Sequence, residues 1–178
     1  MGNGSDGIKM KTMKSLQAYT PDEENAFLGD SVIYLKCRDG NDWYLSQKDF
    51  QPDSVKIAYN GDGVICAMST DISRLWPVGL SVTEMDTSEV PDGAEPDGTW
   101  IYDGEKIYPD KVAIATRMKL SLLSNANQKI SPLQDLLDIE EATEDDKTKL
   151  IEWKKYRVLL NKIDVENTND ISWPKIPA

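Results

Sequence analysis

Between Asp30 and Tyr108 the apolar positions come in short runs separated by turn residues, and within the runs the period is two. "SVIYLKC" (31–37), "WYLSQKDF" (43–50), "VKIAYN" (55–60) and "VICAMS" (64–69) each read as a strand, and the intervening "RDGND", "QPDS" and "GDG" read as turns. "NGDG" supplies glycines for the positive φ of a tight hairpin. The pattern predicts an antiparallel meander. Residues 70–99 hold Pro77, Pro91 and Pro96 among many acids, and they predict an exposed connection rather than a buried strand. "TWIYDGEKIYP" then predicts one more hairpin, turning at Asp103-Gly104.

After Pro109 the period changes to about 3.6. Val112, Ala115, Met118, Leu122, Leu123, Ala126 and Ile130 fall on one face of a first helix. Ser131 and Pro132 read as the N-cap and first residue of a second helix, which carries Leu133, Leu136, Leu137 and Ile139. A third helix starts at Thr143, with Asp146 completing a capping box and three acids complementing the helix dipole. On it Leu150, Trp153, Tyr156, Leu160 and Ile163 lie within about 140° of one another at about 100° per residue. Burying those five side chains is worth on the order of 10 kcal/mol before entropy is subtracted. Ile151 and Val158 form a second stripe, so this helix is expected to pack against more than one neighbour. Lys154, Lys155, Arg157 and Lys162 lie nearer its C-terminal end, where the dipole alone favours cations.

The expected fold class is therefore α+β: an N-terminal antiparallel β-rich module followed by a C-terminal helical region of about three helices. The boundaries fall at 1–29 for an N-terminal extension expected to be flexible, 30–108 for the β-rich module, and 109–178 for the helices with their Trp-Pro tail. In "MGNGSDGIKMKTMKS" translation could begin at Met1, Met10 or Met13.

Composition narrows the function more than the fold. The chain has 178 residues, 31 acidic against 20 basic, and a formal charge of -11. That balance disfavours nucleic acid and anionic membranes as partners. No window of apolar residues is long enough to span a bilayer, so no membrane insertion is expected. Cys37 and Cys66 are the only cysteines, too few for a disulfide framework or a four-thiolate zinc site. There is no histidine, which removes Ser-His-Asp and Cys-His triads and almost every catalytic zinc site. No acidic run has the spacing of an EF-hand loop, and no glycine-rich phosphate loop is present. No catalytic residue, metal or cofactor is expected. What remains is a set of aromatic side chains on the β module, Tyr34, Trp43, Tyr44, Phe50, Trp76, Trp100 and Tyr102, of which most serve a core and one or two remain for a protein partner.

The ordered motifs "PLQD", "EAT", "WKKYRVLLN" and "WPKIP", spread over 130–178, resemble the shared C-terminal region of the tail fibre assembly chaperones of tailed phages and prophages. "DWYLSQKDFQPDSVKIAYNGDGVICAMSTDISRLWPVG" (42–79) further resembles the N-terminal part of the subset that accompanies Mu-like fibres. The resemblance implies a non-enzymatic helper of virion assembly in the host bacterial cytoplasm, in some phages retained on the fibre. Its implied partner is the C-terminal, receptor-binding tip of a trimeric tail fibre, with self-association left open. It implies a common structural role for Trp153, Tyr156, Arg157, Leu160, Trp173 and Pro174, and partner choice, hence host range, for the β module. The alternative is a structural tip subunit or adhesin whose aromatic side chains touch host glycan.

Overall fold

The computed structural model describes residues 10–29 and 31–178, so the Gly- and Ser-rich start at 1–9 lies outside the described residues. The chain divides between Pro109 and Asp110 into two compact units. The class is α+β: antiparallel strands come first and helices follow.

In the first unit, β1 (Thr12–Met13), β4 (Val55–Tyr59), β5 (Ile65–Ser69) and β6 (Ser81–Met85) form an antiparallel sheet in the order β1-β6-β4-β5. Strands β2 (Gln17–Tyr19) and β3 (Tyr34–Lys36) form one antiparallel pair, and β7 (Trp100–Tyr102) and β8 (Ile107–Pro109) another. The register explains why β4 is buried on both sides. Ala58 lies opposite Val82, and Val82 opposite Met13, so these point to one face, where they join Leu16, Leu35, Trp43, Phe50 and Leu75. Ile57, Ile65 and Met85 point to the other face and pack with Ile107 and Trp100 of the β7–β8 hairpin. A strand covered on both faces loses the simple in-out alternation.

Three expectations change here. Residues 70–99 are not wholly a connection: β6, with the sequence "SVTEM", lies inside the sheet between β1 and β4, so the strand order is not that of a simple meander. Its acid is used structurally. Glu84, 3% exposed, accepts from the backbone N–H groups of Lys11 (2.9 Å) and Gln51 (2.7 Å) and from Ser54 Oγ (2.6 Å). Directly opposite, Lys56 is 2% exposed and donates its Nζ to the carbonyls of Ser54 (3.0 Å), Thr70 (2.9 Å) and Gln51. Two buried charges are tolerable because each is fully bonded to loop backbone. Secondly, "WYLSQKDF" forms α1 (Trp43–Ser46) and a 3₁₀ turn (Gln47–Asp49), capped by Asp42 Oδ1 on the Leu45 N–H at 2.9 Å. Thirdly, residues 10–29 are not a bare extension, since they supply β1, β2 and the buried Met13 and Leu16.

The helical unit holds two helices rather than three. α2 (Lys111–Asp138) runs through Pro132, and α3 (Glu144–Asn161) follows a short turn. Proline removes one helical hydrogen bond, but a helix already held on both sides of it by packing continues. Ala126, Ile130 and Leu133 pack against Leu150, Trp153, Tyr156 and Leu160 across the hairpin. The antiparallel arrangement shows in the polar rungs: Lys119 Nζ donates to Ile163 O (2.8 Å), Arg157 Nη1 to Asn127 Oδ1 (2.9 Å) and Lys154 Nζ to Gln134 Oε1 (2.6 Å). Lys154 and Arg157 of "WKKYR" thus reach α2, and no base lies in the last turn of α3, so the expected answer to the dipole at that end is not what places them. The capping box at Thr143 and Asp146 is formed. Among the described residues no helix is long and apolar enough to cross a membrane.

Candidate functional site

The seven aromatic residues singled out from the sequence do not form one surface. Trp43 has no exposed area and lies edge-on to Phe50, itself buried, at 6.1 Å between ring centroids. Its indole Nε1 has no hydrogen-bond partner among the described residues. These two rings serve the core, because the helical turn at 43–46 rotates Trp43 under the sheet.

Tyr34 is also buried, but it centres a cluster that reaches the surface. Tyr19, Phe27 and Tyr44 meet its ring edge-on at 6.2, 5.6 and 6.0 Å. Around this cluster Phe27, Leu28, Ile33 and Leu45 stand 44–58% exposed. A cavity of about 460 Å³ opens between β2 and the segment 26–33, lined by Tyr19, Pro21, Val32 and Ile33. The Tyr19 hydroxyl donates to Asp42 Oδ2 at 2.8 Å, and Tyr44 donates to Ile33 O at 3.2 Å. Burial first, then the Asp42 carboxylate, push the Tyr19 phenol up to about 12, and Tyr44 moves in the same direction for the same reasons. Of this surface the sequence pointed only to Tyr34 and Tyr44. The pair Phe27-Leu28, apolar within the polar run "TPDEENAFLGD", is the signal that would have found it.

Trp100 and Tyr102 are half-buried on the opposite face of the sheet. Tyr102 meets Tyr59 at 5.0 Å beside a groove of about 490 Å³ that also takes in Lys14, Arg38, Asn60 and Asp62. The hairpin is seated by Gly63, whose carbonyl accepts the Tyr102 N–H at 2.8 Å. Trp76 stands apart, 48% exposed between buried Leu75 and Pro77.

In the helical unit Trp153, Tyr156 and Leu160 are core, Arg157 is half-buried, and Trp173 and Pro174 are half-buried, with Trp173 packed on the helix-pair core. The stripe expected to find a second neighbour, Ile151 and Val158, is instead exposed, and so is Leu159 next to it, each 51–53% accessible. Among the described residues no three Cys, Asp or Glu side chains gather as metal ligands. The geometry offers apolar and aromatic contact surfaces.

Comparison with known proteins bears on what such surfaces serve. The sequence model of the family described as "Caudovirales tail fibre assembly protein, lambda gpK" matches residues 46–178. The "Probable tail fiber assembly protein" of Escherichia phage P2 is 33% identical over 174 residues, covering 94% of this chain and 98% of that protein. "Tail fiber assembly protein U" of Escherichia phage Mu is 32% identical over 176 residues, covering 96% and 99%. The "Tail fiber assembly protein" of Escherichia phage lambda is 34% identical over 137 residues, covering 76% and 66%.

Proposed function

The chain belongs to the Caudovirales tail fibre assembly protein family, and from that premise we propose that it is a non-catalytic chaperone that binds the distal, receptor-binding end of its cognate fibre and promotes folding and trimerisation. It acts in the host bacterial cytoplasm during virion assembly. A fibre tip that has not yet closed into a trimer exposes strand edges and apolar surface, and such intermediates aggregate. The observation that carries the reading is the apolar surface of Phe27, Leu28, Ile33 and Leu45 around the tyrosine cluster, set on the segments that flank the β2–β3 pair in a strongly acidic chain. Acidity keeps the helper soluble while the patch covers its client. Co-expression tests it: the cognate fibre tip should form soluble, SDS-resistant trimers only with this protein present. Equal trimer yield without it would remove the proposal.

A second reading, a structural tip subunit or adhesin contacting glycan, draws on the Tyr59–Tyr102 groove, where aromatic and polar side chains lie together. Mass spectrometry of purified particles separates the two, since a subunit is present at fixed stoichiometry and a released chaperone is absent.

A further inference from the structure

We infer that the outer edge of β5 is a further contact with the client, separate from the patch around Tyr34, where an extended segment of the client's own main chain adds as one more strand. This rests on the fibre-chaperone reading above and names the surface and the kind of contact. Strand β5 ends the sheet, and its residues Ile65–Ser69 include no charge and no proline, the common guards of a free edge. Among the described residues the strand itself carries one guard, the bulge at Cys66.

The ladder's parity says which groups are free. Asn60 donates its backbone N–H to Val64 O at 3.0 Å, so alternate residues of β4 from Asn60 back face β5. Ala58 and Lys56 therefore bond Ala67 and Ser69, while Met68 turns its N–H and C=O outward, where no described backbone or side-chain group meets them.

The β7–β8 hairpin begins the next strand and then leaves it. Tyr102 N–H bonds Gly63 O, and Val64 pairs with Ile101, but beyond Val64 no further pairing occurs among the described residues. Alongside Cys66–Thr70 there remains a cleft of about 410 Å³, walled by Arg74, Leu75 and Pro96. A strand entering it would continue the ladder that β7 starts. Main-chain donors and acceptors facing a slot fit another main chain rather than a helix face or a small solute. The Arg74 wall suits an acidic or neutral side chain on that strand.

Hydrogen exchange on the intact chain tests this, with the C-terminal segment of the tail fibre from the same phage or prophage as the probe. Without fibre, the Met68 amide should exchange quickly and those of Ala67 and Ser69 slowly. With fibre, Met68 should slow by about ten-fold or more, and Met68→Pro should weaken fibre binding by up to about ten-fold, the size expected for losing the one net hydrogen bond its N–H would donate. Fibre binding with Met68 exchange unchanged overturns the edge assignment and leaves the chaperone reading standing. Met68 protection that rises with this protein's own concentration, without fibre, assigns the edge to a second copy and also overturns it. No fibre binding at all removes the chaperone reading and the inference together.

Discussion

Gly63 shows how much a single position decides in the β unit. Its φ of +83° lies in the left-handed region, and a Cβ there would sit 2.5 Å from the Tyr102 carbonyl oxygen, a backbone atom that cannot swing aside. Gly63→Ala therefore should lift the β7–β8 hairpin from the sheet and cost about 2 kcal/mol or more, from the strained backbone and the clash together, read as a lower denaturation midpoint. Glu84 and Lys56 matter differently, because each ties loop 51–54 to the sheet through its own buried bonds.

The tyrosines give a pH dependence. Tyr19, Tyr44, Tyr59 and Tyr156 all have their phenols raised, each by burial first. A group whose folded pKa exceeds its unfolded value stabilises fully below the unfolded value, here 10.0, and the gain is lost as pH rises through the folded value. Stability should therefore fall between pH 10.0 and about 12. Tyrosinate absorbance followed against a denaturation midpoint checks it, and Tyr19→Phe should remove part of the slope.

At the scale of elements, the two helices stand by their shared core, their caps and the Lys119 amine on the carbonyls that end α3. The tail "ISWPKIP" belongs to this element, since Trp173 lies on the same core and Pro174 stiffens its approach. Deleting residues 171–178 should lower the melting temperature of the isolated protein, by burial worth about 1–2 kcal/mol for a half-buried Trp. An unchanged melt with lost fibre binding would move the tail from the core to the interface. Helix α2 was expected to break at Ser131-Pro132, because the cap signal there is a good one. Packing of Ala126, Ile130 and Leu133 against α3 overrides it, which the local sequence cannot express.

For the whole molecule the division at Pro109 suggests a division of labour. Partner choice is proposed to lie in residues 30–108 together with the N-terminal strands and the patch at Phe27-Leu28, and the helical unit to be the interchangeable part. A chimera joining residues 1–108 to the helical region of a relative serving another fibre should assemble this chain's fibre. Assembly of the relative's fibre instead would make α3, with its exposed Ile151, Val158 and Leu159, the recognition element.

The class of fold and the tail hairpin at Asp103-Gly104 were legible in the sequence, because period, turn residues and caps are local signals that need no knowledge of neighbours. The helical core was legible too, in Leu150, Trp153, Tyr156 and Leu160, since a helix writes its buried face at a fixed spacing. The inner strand β6, the burial of Trp43 and the gathering of Phe27, Tyr34 and Leu45 into one surface were decided only by tertiary structure. Each depends on a partner distant in sequence: β6 on the loop donors that neutralise Glu84, Trp43 on the sheet above it, and the patch on β2 pairing with β3. Strands of two to five residues carry too little pattern to announce such partners.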